Sequence, residues 1–253
     1  MKEEAHRHAR SVKVSSIGRG GLARLREATV AIVGAGGLGS PVCMYLTAGG
    51  VGHLILIDDD VVDLSNLQRQ VLHGTSDVGA LKVQSAQSRL AAIDPGVRVD
   101  ISSERIDDDS VVKVLSCADL VVDCSDNYET RHVVARGSFT VGIPHVWGAV
   151  EEWRGQIAAF APHLGGPCYA CLFPGAVPNP LVPASADRGI VGATCGVAGS
   201  LQAAAALQLI IGTYTSLGIL TGFDLLRGTW DRWHAEPRPD CHVCAKGTTR
   251  AVD

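Results

Sequence analysis

The chain has 253 residues, 46% of them hydrophobic, and a formal net charge of −4. This composition predicts a large buried core, and it shows no basic excess that would attract nucleic acid or an anionic membrane. The charged segment 1–13 lacks the apolar stretch of a signal peptide. The longest apolar stretch, 197–211, is shorter than the roughly 20 residues of a spanning helix. We therefore expect a cytoplasmic protein.

Strand-like and helix-like segments alternate through the first 150 residues. A polar arm, 1–29, ends in a short predicted helix at 21–27. Short apolar runs typical of buried strands follow in turn with stretches of helical periodicity. The predicted strands are 29–33, 53–57, 97–102, 120–124 and 144–148, and the predicted helices are 38–48, 80–92 and 129–140. This order predicts an α/β, Rossmann-like, mostly parallel sheet with helices on both faces.

The pattern changes after residue 150. Segment 156–160 has the character of a strand in an antiparallel extension of the sheet. Residues 172–195 are rich in Pro, Gly and Ala, which predicts a long loop of the kind often found over a site. An apolar helix is predicted at 195–211, and we interpret it as buried in the core.

A glycine loop lies between the first predicted strand and the following helix. Gly34, Gly36 and Gly39 form G-x-G-x-x-G, which allows a tight turn and a close approach of backbone N–H groups to phosphate. Asp58 ends the next strand, where a carboxylate can hold ribose hydroxyls. The pattern predicts a nucleotide site. An NAD-dependent dehydrogenase and a tight turn without any ligand are the alternatives.

The polar residues beyond Asp58 favour adenylation over NAD chemistry. When a carboxylate attacks the α-phosphate of ATP, charge builds on the phosphoryl oxygens and the leaving pyrophosphate, and positioned cations stabilise it. Arg69 and Lys82 are candidates for that role. Asp126 follows a predicted strand at the edge where ligands bind, and it is a candidate ligand for Mg²⁺.

Four motifs in order carry a family resemblance: GAGGLGS from Gly34, V-x-L-S-N-L-Q-R-Q ending at Gln70, D-V-G-x-x-K ending at Lys82, and D-x-x-D-N from Asp123. With them the chain resembles the ubiquitin-activating superfamily, and most of all its bacterial adenylyltransferases of molybdopterin and thiamine biosynthesis. The resemblance extends over residues 7–244. It implies a cytoplasmic enzyme that uses ATP and Mg²⁺ to adenylate the C-terminal Gly-Gly of a small ubiquitin-fold sulfur carrier.

The resemblance also implies a set of site residues. The positions that would surround the nucleotide are Gly34, Gly36, Gly37, Gly39, Asp58, Ser65, Asn66, Leu67, Gln68, Arg69, Lys82, Asp126 and Asn127. Arg69, Lys82 and Asp126 would be catalytic, and Arg10 would match an arginine that reaches into the neighbouring subunit's site, which implies a homodimer. Taken singly, each has another interpretation: Arg69 and Lys82 as solvated surface charges, and Asp126 as a helix N-cap.

Two C-x-x-C pairs predict a structural zinc site. Cys168 and Cys171 form one pair, and Cys241 and Cys244 form the other. Four thiolates fill a tetrahedral zinc site and leave no position for water. A redox-active pair is the alternative. His242, inside the second pair, is expected to be a neighbour of the site rather than a ligand.

The sequence departs from the family in the long loop. Ser185 stands where many relatives have a cysteine that carries sulfur or a thioester. A serine hydroxyl cannot hold a persulfide, so we expect adenylation without covalent transfer there. For Cys195, near the start of the predicted apolar helix, core packing is the favoured interpretation; a role as the substitute thiol is the alternative, because a helix N-terminus lowers a thiol pKa. The sulfur donor is expected to be a separate protein.

The expected organisation is one adenylyltransferase domain, 1–253. It comprises the arm 1–29, a nucleotide-binding half 30–150, and a partner-binding and zinc half 151–253. A peptide or small-molecule carboxylate remains an alternative substrate, and a non-catalytic scaffold remains an alternative role. The sequence leaves the carrier and the pathway open.

Overall fold

The computed structural model describes residues 6–175, 189–213, 215 and 217–245. They contain one eight-stranded sheet in the order β3-β2-β1-β4-β5-β6-β7-β8. Its strands are Thr29–Val33 (β1), His53–Ile57 (β2), Arg98–Ser102 (β3), Leu120–Asp123 (β4), His145–Glu151 (β5), Arg154–Phe160 (β6), Ile219–Asp224 (β7) and Thr229–His234 (β8).

Helices connect these strands and cover the sheet. The α-helices are Gly18–Glu27 (α1), Gly39–Gly49 (α2), Lys82–Ile93 (α3), Val111–Leu115 (α4), Tyr128–Val141 (α5), Tyr169–Leu172 (α6) and Gly192–Ile210 (α7). Helices α2, α3 and α7 contribute to one apolar core, which includes Leu46, Leu56 and Leu90. Helices α4 and α5 contribute to a second core with Leu115 and Val134. The predicted two-sided α/β architecture is confirmed.

Strands β1 to β5 form the parallel part of the sheet. β1 lies between β2 and β4 and pairs in parallel with both. The residues of β4 are all buried, and four of the five residues of β1 are buried. Such strands appear in a sequence as continuous apolar runs, and all five predicted strands of this part are present within a few residues of their predicted bounds.

The antiparallel extension is larger than the sequence indicated. β6 was predicted, but β7 and β8 were not. β7 pairs with β6 and with β8, so that β8 forms one edge of the sheet. All six residues of β8 are exposed. A strand without a buried face lacks the apolar alternation by which a strand is detected.

The apolar helix α7 is long and apolar enough to cross a membrane by length and composition, and half of that stretch is buried within the protein. It packs against α2 and against strands β5 and β6. Its Gln202 is fully buried and donates a hydrogen bond to the Asp123 carbonyl, at 2.8 Å. These contacts are those of a core helix, as predicted from the sequence.

Candidate active site and four-cysteine centre

A cavity of about 820 Å³ lies at the carboxyl ends of β1, β2 and β4. The chain leaves β1 towards β2 on one side, whereas β4 lies on the other, and a crevice opens where the strand order reverses in this way. The volume is in the range of small-molecule sites. Predicted residues that line it are Gly34, Gly36, Gly37, Asp58, Gln68, Arg69, Lys82, Asp126 and Asn127.

The glycine loop follows β1 and forms the floor of the cavity. Gly34 has a φ of +96°, a left-handed conformation that disfavours any side chain. Gly39 packs directly against the Gly34 carbonyl, so it shapes the turn but does not line the cavity. A Cβ at Gly37 would meet the Cys195 Sγ at 2.9 Å. The loop therefore presents bare backbone to the cavity.

Asp58 is held at the end of β2 by two backbone donors. The Ala35 N–H donates to one carboxylate oxygen at 2.7 Å and the Asp60 N–H to the other at 3.0 Å. Burial raises the pKa of Asp58, and the charge of Lys82 acts against that rise. Both oxygens face donors, which fixes the carboxylate beside the glycine loop.

Lys82 is only 5% exposed, so it is not a solvated surface charge. Its Nζ lies 2.6 Å from an Asp60 carboxylate oxygen and 4.0 Å from one of Asp58. Its position as the first residue of α3 brings this ammonium back to the end of β2. The sequence did not indicate the pairing with Asp60.

Arg69 is half-buried in a segment of short turns. Its Nη1 donates to the Ser65 carbonyl at 3.3 Å. Ser65 and Asn66 lie in a 3-10 turn whose N-cap, Asp63, accepts the Ser65 N–H. A Cβ at Gly192, the first residue of α7, would overlap the Gln68 carbonyl. Ser65, Asn66 and Leu67 thus build the segment that carries Arg69, but they do not line the cavity themselves.

The third wall of the cavity follows β4. Asp126 is exposed, and Asn127 is the N-cap of α5 because its side-chain oxygen accepts the Thr130 N–H at 2.9 Å. The N-cap interpretation of Asp126 is therefore wrong. Arg131 in the first turn of α5 also lines the cavity, and sequence reasoning missed it. An arginine in a helix carries no sequence signal that separates a cavity position from a solvated one.

Arg10 does not line the cavity of its own chain. It is exposed and lies just before a 3-10 turn, Ser11–Lys13. The neighbouring arm residues are anchored elsewhere: Arg7 donates to the Ile93 carbonyl at 2.6 Å, and the buried His8 lies 3.9 Å from Asp94. The arm is thus fixed against the end of α3, with Arg10 on the outside.

Cys195 lines the cavity, but as a buried thiol. Burial raises its pKa to about 11, and the charge of Arg69 only partly opposes this. The favoured interpretation, core packing, is confirmed because Cys195, the fourth residue of α7, is shielded from solvent, and the alternative of a thiol activated by the helix N-terminus is wrong. Ser185, the other loop position of interest, lies outside the described residues.

The four predicted cysteines come together. Their Sγ atoms all lie within 4.8 Å of one another, and all four residues are buried. The separations are 3.8 Å between Cys168 and Cys171, 3.5 Å between Cys168 and Cys241, and 3.4 Å between Cys171 and Cys244. Four thiolates around zinc at ~2.3 Å stand about 3.8 Å apart, so the cluster fits the ion. His242 stacks on His132 instead, as expected of a neighbour.

Comparison with known proteins gives a match to the model of the ThiF family over residues 8–243. The chain belongs to the ThiF family. It is 42% identical to the sulfur carrier protein adenylyltransferase of Thermus thermophilus, over 98% of this chain and 94% of the relative. It is 39% identical to the SAMP-activating enzyme E1 of Haloferax volcanii, over 98% and 91%. It also matches the adenylyltransferase and sulfurtransferase MOCS3 of Bos taurus at 39% identity, over 98% of this chain and 55% of MOCS3.

Solved structures agree on the fold. The crystal structure of Escherichia coli MccB superposes with a TM-score of 0.82 at 23% identity, over 98% of this chain and 74% of MccB. PaaA superposes with a TM-score of 0.79 at 19% identity, over 94% and 75%. The relatives named above are adenylyltransferases or activating enzymes. The predicted superfamily and the predicted class, an adenylyltransferase, are confirmed, and the dehydrogenase interpretation is set aside.

Proposed function

We propose that this ThiF-family enzyme adenylates the C-terminal carboxylate of a ubiquitin-fold sulfur carrier that ends in Gly-Gly. The supporting observation is the cavity itself, which gathers at one sheet edge a bare glycine loop, a fixed carboxylate, several cations that include Arg69 and Lys82, and the exposed Asp126. The names of the relatives support a sulfur carrier as the substrate. The pathway that uses the activated carrier stays open.

The proposed step is an in-line displacement at the α-phosphorus of ATP. A carboxylate oxygen of the carrier forms the new O–P bond, and the bond from phosphorus to the α,β-bridging oxygen breaks. Pyrophosphate leaves with that electron pair, and no proton transfer is needed. Backbone N–H groups of the glycine loop and the N-terminus of α2 would bind phosphate, and Asp58 would hold the ribose.

The side chains that line the cavity would neutralise phosphate charge and bind Mg²⁺. Lys82 and Arg69 would neutralise charge that builds on the phosphates. Asp126, with Asn127 beside it, has the oxygen ligands that Mg²⁺ prefers, and a bound Mg²⁺ would screen the charge of the leaving pyrophosphate. Asp126 is exposed at this wall and lines the cavity, which supports its assignment as a ligand to a metal bound to phosphate.

The test is ATP–pyrophosphate exchange with Mg²⁺, with and without ubiquitin-fold carriers ending in Gly-Gly. We expect carrier-dependent exchange that falls by about a hundredfold or more in Asp126→Ala, because a cavity ligand to the metal is lost. Asp109→Ala removes an exposed acid that does not line the cavity and should leave the rate unchanged. Absence of exchange with every carrier would contradict the proposal and turn attention to a peptide or small-molecule carboxylate.

We further propose that residues 1–253 act as one domain within a homodimer. In this dimer, Arg10 completes the partner's cavity. A separate protein donates sulfur. The sheet that runs through both halves supports the single domain, and the exposed position of Arg10 outside its own cavity supports action in trans. Mixed dimers of Arg10→Ala and Asp126→Ala would carry one intact site, so we expect mixing two inactive variants to restore exchange. A monomer in gel filtration would contradict this.

A further inference from the structure

Arg131 is a nearly buried cation at the wall of the cavity. It is the fourth residue of α5, is 9% exposed, and lines the cavity beside Ser125, Asp126 and Asn127. Its Nη2 donates to the Ser125 carbonyl at 3.1 Å. Its Nε is buried and has no hydrogen-bond partner among the described residues. The guanidinium is thus fixed, with part of its donor capacity unused.

The charge of Arg131 has no counterion within the part of the chain that the structure describes. Lys82, on the opposite side of the cavity, pairs with Asp60 and lies near Asp58. By contrast, the interactions of Arg131 are a carbonyl, ring faces and a phenol. A desolvated and unpaired cation is costly, and a site that retains one is suited to an anionic or strongly polarised oxygen from a ligand.

Aromatic rings hold the guanidinium in place. Its central carbon lies 5.5 Å from the ring centroid of Tyr128 and 5.6 Å from that of Trp147. The hydroxyl of Tyr169 lies nearby, and burial raises the pKa of Tyr169 to about 12, so this phenol stays neutral and does not neutralise Arg131. Cation–π contacts orient the planar group without removing its charge.

The position of Arg131 indicates which part of the ligand it meets. Across the cavity, Asp58 follows β2, the glycine loop follows β1, and Arg131 follows β4. Arg131 therefore lies on the far side of the phosphate-binding loop from the ribose position. Val150 of β5 and Ile190 also line the cavity, and β5 carries the Trp147 ring that contacts Arg131. Apolar side chains beside a fixed cation suit an acyl group.

We propose that Arg131 binds the carboxylate that receives the adenylyl group, and then the acyl oxygen of the acyl-adenylate. This inference rests on the proposed function and adds a residue for the acyl substrate. One oxygen of the carboxylate attacks phosphorus, and the other accepts a hydrogen bond from the Arg131 guanidinium. The step transfers no proton, and the planar fork of the guanidinium suits the two oxygens of a carboxylate.

The experiment compares two stable adenosine compounds by isothermal titration calorimetry. 5′-O-sulfamoyladenosine is the reference. Its N-(N-acetylglycyl) derivative adds an acyl group like the carrier terminus, without a free amine charge. We expect wild-type protein to bind the acylated compound more tightly. In Arg131→Gln this advantage should fall by about tenfold or more, since a hydrogen bond to a charged group is lost. Affinity for sulfamoyladenosine should stay within about twofold because the change leaves the nucleotide side intact.

Two matched variants serve as controls. Arg136→Gln removes a partly exposed arginine of the same helix, which pairs with Asp108 at 2.7 Å and does not line the cavity, and should leave both affinities unchanged. Arg131→Lys retains the charge but loses the planar fork, and should recover only part of the advantage. Circular dichroism and thermal unfolding of each variant separate a folding defect from a binding defect.

Each outcome decides the assignment of Arg131. No preference of wild type for the acylated compound, or an equal loss of affinity for both compounds in Arg131→Gln, would overturn it. If wild type exchanges with no carrier but the acyl advantage exists and depends on Arg131, the carrier proposal fails while the assignment of Arg131 stands. Failure of wild type to bind either compound would overturn both.

Discussion

Cys195 illustrates at the residue scale how burial overrides a local sequence signal. Near a helix N-terminus a thiol is expected to ionise easily, yet the burial of this one raises its pKa to about 11. Its Sγ packs over Gly37, and any Cβ at Gly37 would collide with it. Cys195 therefore packs against the glycine loop, and we assign it no catalytic role.

The raised pKa leads to a prediction for alkylation. Burial of Cys195 and its raised pKa disfavour the thiolate at pH 8, so iodoacetamide should modify the exposed Cys117 and spare Cys195. Labelling of Cys195 should appear only as the pH approaches the raised pKa. Peptide mass spectrometry after timed alkylation measures both sites in one sample. Equal labelling rates at pH 8 would contradict the buried position.

Residue-scale prediction from the sequence was uneven for physical reasons. Spacing after a strand indicated the glycine loop and Asp58, because such a turn demands glycine at set positions. Motif order indicated Lys82 and Arg69. No sequence pattern indicated Arg131, because its place at the cavity depends on packing against Trp147, a residue of strand β5.

Among the elements, α7 depends on close packing at one face. Gly199 lies against Pro41 and the Leu38 carbonyl of the α2 region, with no room for a Cβ. Gly196, one turn earlier, has open space at the same position. Apolar periodicity predicted this helix, but it did not distinguish the two glycines.

These glycines make a matched pair of substitutions. Gly199→Ala should lower the free energy of unfolding by about 1–3 kcal/mol, because the helices must move apart. Gly196→Ala should raise it by about 0.5–1 kcal/mol, since alanine favours the helix and meets nothing. Urea unfolding of both variants measures the difference. A similar loss in both would contradict the role assigned to the contact of Gly199 with Pro41 and the Leu38 carbonyl.

The sheet elements show what a sequence pattern can detect. Strands β1, β2 and β4 are buried in the parallel region and stand out as apolar runs. β8 does not, because its six residues are exposed and it is defined by pairing with β7 alone. Backbone pairing at a sheet edge leaves little trace in the order of side chains.

At the scale of the whole molecule, the four-cysteine centre joins distant parts of the chain. Cys168 and Cys241 are 73 positions apart, and the intervening chain includes α7, β7 and β8. This centre could be predicted from the sequence because two C-x-x-C pairs indicate a zinc site whatever the fold of the chain between them. A metal there would stabilise the closed arrangement of the second half.

Loss of one cysteine ligand should therefore lower the stability of the whole protein. We expect wild type to contain one zinc ion per chain, and Cys171→Ser to lose it with a fall in Tm of about 5 °C or more. Cys117→Ser changes an exposed cysteine outside the centre and should alter neither quantity. Plasma mass spectrometry for zinc and a thermal melt make the test. Full zinc content in Cys171→Ser would exclude the four-thiolate site.

The contact between Gly192 and the Gln68 carbonyl has a mechanical consequence. The first residue of α7 and the segment that carries Arg69 touch backbone to backbone, with no side chain between them to absorb a displacement. The N-terminus of α7 therefore cannot move towards this segment unless the backbone that carries Arg69 moves with it.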